Sequence, residues 1–187
     1  MKTTPTTNTP TPRRRRTLAA LAATVILLAS ACTPPNTPPT TEGPDALDAR
    51  RTDRIAFGLC SAYTVAALSN NTFTDTGPAD ARTRAAEQFG TPAFIRAAQG
   101  EGRDPLWPVL TEHRARVETT TESAEDDPPP ATAHNASTAV LAHRTATNDS
   151  GWTQRLPSLV VHCSLARSTA GWRIAEVTVA DSDSEPR

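Results

Sequence analysis

The sequence predicts an α+β domain in which N-terminal helices pack on one antiparallel sheet of about four strands. In residues 48–99, apolar residues recur at intervals of three and four, which is the period of a helix with one buried stripe. From residue 115 onward, apolar and polar residues alternate, which is the period of a strand with one buried face. Helices and strands that occupy separate parts of a chain are typical of the α+β class. We expect a single folded domain over residues 48–180.

Three helices are expected in the first part of this domain. The first spans Ala46–Leu68 and is apolar over more than half of its circumference, so other elements must cover it. The second spans Pro78–Phe89, and Thr91 is a suitable N-cap for a short third helix, Pro92–Ala98. A loop over residues 100–105 follows. Three apolar residues, Trp107, Val109 and Leu110, are expected to anchor that loop by packing against the domain.

The strands are expected to form a sheet joined by hairpins, with the first helix covering its apolar face. A solvated connection at residues 126–130 separates the first two strands, and turns are expected at residues 148–151 and 168–171. The predicted strand segments are Ala115–Thr120, Thr138–Thr147, Trp152–Leu156 with Leu159–Arg167, and Trp172–Val179.

The N-terminus carries the pattern of an export signal. Four consecutive arginines, Arg13–Arg16, precede an apolar run of eleven residues, Leu18–Leu28. This run is within the range of about 7–15 residues found in signal peptides and well short of the roughly 20 needed to span a bilayer. The small residues 29–31 then lead to Cys32, and we expect cleavage before that cysteine.

The segment Leu28-Ala29-Ser30-Ala31-Cys32 resembles the cleavage box of bacterial lipoproteins. The commonest form of that box has leucine three residues before the cysteine, whereas this chain has Ala29 there. The resemblance implies that a lipid on Cys32 anchors the protein to the extracytoplasmic face of the cell membrane. The alternative is an ordinary secretory signal followed by an incidental cysteine.

Two segments outside the domain are expected to be disordered. Residues 32–47 are rich in proline and threonine and lack apolar periodicity, so they predict a tether that spaces the domain about 30 Å from the membrane at ~3 Å per residue. Residues 181–187 form a short acidic tail.

The charge of the exported chain argues against nucleic-acid binding. Five of the 19 basic residues and none of the 20 acidic residues precede Cys32, which leaves a net charge of −6 after cleavage. A nucleic-acid partner requires a basic surface to neutralise phosphates. We therefore expect no nucleic-acid partner.

The order of elements over residues 48–180 resembles the cone-shaped α+β fold of the nuclear transport factor-like and cystatin-like domains, in which a curved sheet folds over a long first helix. The ending Gly171-Trp172-Arg173-Ile174-Ala175-Glu176-Val177 has the hairpin-and-strand pattern common in such domains. The layout is also similar to that of actinobacterial lipoproteins and of the periplasmic assembly component of type IV secretion systems. The resemblance implies an envelope protein as partner.

Cys60 and Cys163 remain after Cys32 is lipidated. Cys60 lies on an apolar face of the first helix, and Cys163 alternates with Val161 and Leu165 on the core side of its strand. Both side chains are therefore expected at one helix–sheet interface, and outside the cytoplasm they can form a disulfide. The alternative is a pair of buried free thiols.

No catalytic group and no metal site can be identified from the residues. The four histidines lack the spacing of a zinc site, and no serine lies in a nucleophile-elbow motif. No cofactor is implied. The residues proposed to line a pocket on the concave side of the sheet are Tyr63, Trp107, His143 and His162.

Three functions are compatible with these observations. The first is a membrane-anchored, non-catalytic interaction module that is accessory to secretion, conjugation or cell-envelope machinery. The second is a protein that binds a small apolar molecule in the concave pocket. The third is an enzyme of the dehydratase or isomerase type, which would need a buried tyrosine or histidine paired with an aspartate.

Overall fold

The computed structural model describes residues 44–99, 104–125 and 128–182, and it describes side chains from residue 48 onward. The predicted signal peptide, the lipidation site Cys32 and residues 33–43 of the tether lie outside the described residues, as do residues 183–187 of the predicted tail. Residues 44–47, predicted as tether, are helical, and Asp181, predicted as tail, belongs to the last strand, so the folded domain is longer at both ends than expected.

The described chain forms four helices followed by four strands. The helices are α1 (Pro44–Leu68), α2 (Asp80–Phe89), α3 (Pro92–Ala98) and α4 (Trp107–Glu112), and the strands are β1 (Arg116–Ser123), β2 (Asn135–Thr147), β3 (Thr153–Ser168) and β4 (Gly171–Asp181).

The strands form one antiparallel sheet in the order β1-β2-β3-β4, so each strand pairs with its neighbours in the chain. The helices pack on this sheet, and α1 contacts all four strands. The predicted α+β class, with N-terminal helices on an antiparallel sheet of four strands, is confirmed.

Two elements differ from the prediction. Trp107, Val109 and Leu110 belong to the short helix α4 rather than to a loop, and Pro108 fits there because the first turn of a helix needs no donor from its second residue. The segments predicted on either side of Pro157 form one continuous strand, β3.

Pro157 is accommodated in β3 by a β-bulge. The register between β2 and β3 shifts between Ala142 and Arg144, so that Pro157 and Ser158 together oppose the single residue His143. An extra residue at a bulge leaves the ladder, which is where a proline without a backbone N–H is tolerated in a sheet. The bulge therefore explains why the strand continues past a residue that usually ends one.

The main core lies between α1 and the inner face of the sheet. The face of α1 that packs on the sheet is formed by Ala56, Cys60, Tyr63 and Ala67, all buried. A second, smaller cluster lies where α4 meets β1, β2 and β3, with Leu110 at its centre. The small residues on α1 let its backbone approach the sheet closely.

A disulfide joins α1 to β3. Cys60 and Cys163 are bonded, with their Cα atoms 5.8 Å apart, and both residues are fully buried in the main core. The predicted pairing is confirmed. The bond connects residues 103 positions apart in the sequence, so it fixes the helix on the sheet across most of the domain.

Replacing both cysteines in the double variant Cys60→Ala/Cys163→Ala is expected to lower the free energy of unfolding by about 3–5 kcal/mol, because the bridge closes a loop of roughly 100 residues in the unfolded chain. Urea unfolding of the wild type and the variant measures the difference. Two reactive thiols besides Cys32 in denatured, unreduced wild type would contradict the prediction.

Candidate functional site

The four residues proposed to line one pocket lie in different parts of the domain. Tyr63 is buried on the inner face of α1, and Trp107 is half-buried at the start of α4. His143 and His162 are exposed and project from the outer face of the sheet. The structure therefore does not bring these side chains together, since the sheet separates the histidines from Tyr63.

Tyr63 packs in the core between α1 and α3. Its ring meets the ring of Phe94 edge-on, with 5.6 Å between the ring centroids. Burial raises the pKa of the Tyr63 hydroxyl, and the positive charge of Arg82 offsets part of this rise. The phenol therefore stays protonated at neutral pH, where it cannot accept a proton as a general base.

His143 joins a polar cluster on the outer face of the sheet that the sequence did not reveal. One ring nitrogen, Nε2, lies 3.0 Å from Glu122 Oε1, and the other, Nδ1, lies 3.1 Å from Ser158 Oγ. The three residues come from β1, β2 and the bulge of β3. About half of the His143 side chain and more than half of the Glu122 side chain are exposed, at 49% and 62%, so water competes for every contact. The arrangement is a cross-strand contact on a solvent-exposed surface.

A cavity of about 530 Å³ opens where the C-terminal end of α1 and the start of α2 face the ends of β2, β3 and β4. We call it the mouth cavity. Its polar and apolar lining includes Leu68, Asn70, Arg82, Leu106, Arg144 and Leu159. A second, much smaller pocket of about 50 Å³ lies beside Tyr63 and shares Leu68, Arg82 and Val179 with the mouth cavity.

Arg144 is the most unusual side chain of the mouth cavity because it is a buried cation. Only 8% of the residue is exposed, and its Nε and Nη2 atoms donate to the Pro157 carbonyl at 3.2 and 3.0 Å. Burial lowers the pKa of the Arg144 guanidinium, and the more distant carboxylates of Asp104 and Asp181 act in the opposite direction. The guanidinium nevertheless remains charged at neutral pH, as arginine does in proteins.

Asn70 contributes a second buried polar group to this cavity. Its backbone carbonyl accepts a hydrogen bond from Val117 N at 2.8 Å, which ties the end of α1 to β1. The residue is 6% exposed, and its side-chain oxygen has no hydrogen-bond partner among the described residues. A buried acceptor without a partner carries a free-energy cost.

The turn between α1 and α2, which contributes Asn70 and Pro78 to the lining of the mouth cavity, is fixed by two aspartates. Asp75 accepts a hydrogen bond from Asn71 N at 2.7 Å and forms an ion pair with Arg84 Nη1 at 2.7 Å. The Asp75 side chain is fully buried. Asp80 accepts from Thr76 N at 2.7 Å at the start of α2, and this hydrogen bond is the main reason that the pKa of Asp80 is lowered.

The outer face of α1 is exposed and apolar. We use this name for Phe57, Gly58, Ala62 and Val65, which are exposed on the side of the helix away from the core. Phe57 and Val65 remain 36% and 37% exposed, and a Cβ added to Gly58 would meet no atom within 4 Å. The sheet and α2 cover the buried side of α1, which includes Ala56, Cys60 and Tyr63, as expected for a helix with a wide apolar stripe, and the side with Phe57 and Val65 remains outside this packing.

Sequence reasoning missed Arg144 and Asn70. Arg144 lies two residues from both Ala142 and Ala146, which are buried, so the strand period places it on the inner face. That signal was available in the sequence. The burial of Asn70 depends on its contact with β1, for which the sequence around it carries no pattern.

Neither a membrane-spanning helix nor a metal cluster occurs in the described part of the chain. No helix within residues 44–99 and 104–125 is both long and apolar enough to cross a bilayer. Across the described ranges, no three histidine, cysteine, aspartate or glutamate side chains converge as metal ligands would.

The comparisons with known proteins give similarities only to solved structures. No family model matches the chain. No curated protein matches it either. An IcmL-like type IV secretion system protein from Legionella pneumophila is 13% identical, with a TM-score of 0.49 over 72% of this chain and 94% of that one. The VirB8 protein of Agrobacterium tumefaciens is 12% identical, with a TM-score of 0.47 over 73% and 96%. A periplasmic fragment of TraM is 12% identical, with a TM-score of 0.44 over 71% and 98%.

Proposed function

We propose that the protein is an extracytoplasmic lipoprotein, anchored through Cys32, whose folded domain is a non-catalytic interaction module. The export signal and the lipoprotein-like box support the anchor. The Cys60–Cys163 disulfide supports the location, because such bonds persist in oxidising compartments outside the cytoplasm and are rare inside it.

The exposed outer face of α1 is the observation that carries the interaction role. Two large apolar side chains, Phe57 and Val65, stand two turns apart on the same side of the helix. Between them, Gly58 and Ala62 are small, so another backbone can approach closely. Covering this face would remove apolar surface from water, which favours association.

The charges beside this face indicate the kind of protein that would bind it. Arg51 and Arg54 are exposed one to two turns before Phe57, and Asp53 is the exposed acidic residue among them. A complementary partner would present an apolar strip that continues into acidic residues. We propose an envelope protein of this character, within a secretion, conjugation or other cell-envelope assembly.

The variant Cys32→Ser is expected to leave the membrane fraction, because no acyl chain would then hold the domain on the bilayer. Fractionation of cells followed by intact-mass measurement tests this, with Thr33→Ser as the matched control that keeps the thiol. Wild-type protein that retains its initiating Met1, or carries an unmodified sulfur at Cys32, would contradict the anchor.

The variant Val65→Glu is expected to reduce complex formation in membranes at least tenfold, because it replaces one of the two large apolar side chains of the outer face of α1 with a charge. Its thermal stability should change little, since exposed substitutions usually alter stability by about 0.5 kcal/mol or less. Photo-crosslinking from a benzoylphenylalanine at Phe57 measures the complex, and Thr120→Glu on the exposed sheet face is the control. Equal crosslinking in Val65→Glu and wild type would rule out this face.

A further inference from the structure

We infer that the mouth cavity binds a small organic monoanion with an apolar body. This inference goes beyond the interaction role, because it uses neither the lipid anchor nor the outer face of α1. The cavity volume of about 530 Å³ lies within the range of roughly 300–1,000 Å³ that is typical of small-molecule sites.

Arg144 supplies the site for the anion. Nε and Nη2 are engaged by the Pro157 carbonyl, Nη1 makes no hydrogen bond to a described residue, and the side chain lines the cavity. The free hydrogens on Nη1 and Nη2 form one side of the guanidinium fork, which a carboxylate can occupy with both oxygens. No described carboxylate forms an ion pair with Arg144, so a bound anion would compensate a charge that is otherwise buried at a cost.

The other charged groups of the lining narrow the chemistry of the ligand. Arg82 brings a second positive charge from α2, whereas the unpaired side-chain oxygen of Asn70 is a hydrogen-bond acceptor and does not attract an anion. The carboxylates of Asp104 and Asp181 also line the cavity and repel additional negative charge. This balance favours one negative charge over two, so a monocarboxylate or sulfonate fits better than a phosphate dianion.

The remaining walls favour an apolar body. Leu68, Leu106, Leu159 and Val179 line the cavity, and Val179 is 53% exposed. A ligand that extends from Arg144 across these side chains would bury apolar surface as well as its charge. The arrangement of few convergent polar groups within apolar walls is the usual form of a small-molecule site.

A matched pair of probes separates the anion from the apolar body. 8-Anilinonaphthalene-1-sulfonate and N-phenyl-1-naphthylamine share the same rings, and only the first carries a sulfonate. Titration of the full-length protein in detergent, followed by probe fluorescence, should show one site for the sulfonate and at least tenfold weaker binding of the neutral probe. Decanoate should displace the sulfonate, and decanol should do so at least tenfold less effectively. Equal affinities within either pair would overturn the inference.

Variants assign the binding to this cavity. Arg144→Gln is expected to weaken binding of the sulfonate at least tenfold while the affinity for the neutral probe stays the same. Arg155→Gln, which changes an exposed arginine outside the cavity, and Val65→Glu on the outer face of α1 should bind like the wild type. Unchanged binding in a folded Arg144→Gln, or lost binding in Val65→Glu, would contradict the site. If Arg144→Gln does not fold, the competition between decanoate and decanol on the wild type decides the question.

Discussion

The docking of α1 on the sheet through Cys60 is the constraint on which the rest of the structure depends. One side of the helix carries mainly small residues and a cysteine, and β3 presents the partner cysteine between Val161 and Leu165 on its inner face. A covalent bond at this point removes the freedom of the helix to rotate or slide along the sheet. Helix orientation therefore follows from the position of one bond and from the small residues around it.

This orientation determines which surfaces remain for binding. Because the Cys60 side of α1 is buried, Phe57 and Val65 must face solvent, and a hydrophobic surface persists outside the core. Because α1 ends at Leu68, beside the ends of the strands, Asn70 and the start of α2 form a wall opposite Arg144. The outer face of α1 and the mouth cavity are thus two consequences of a single packing arrangement.

The sequence predicted the fold and the disulfide because both depend on local periodicity. Helical spacing places Cys60 on an apolar face, and strand alternation places Cys163 on the core side of β3, so the pairing follows from two independent patterns. The cluster of Glu122, His143 and Ser158 could not be predicted in this way, because it depends on the register of three strands and on a bulge. Pro157 ended a strand in the prediction because the sequence alone does not show that a bulge accommodates it. The buried position of Asn70 depends on a contact with β1 that has no local signature.

Hydrogen exchange of the unreduced and reduced protein, resolved by segment, tests this account most directly. If α1 is held on the sheet as described, the amides of residues 56–68 and 159–165 should be among the slowest to exchange, and reduction should accelerate both segments together. Fast exchange of residues 56–68 in the oxidised protein would contradict the account, as would protection of both segments that reduction leaves unchanged.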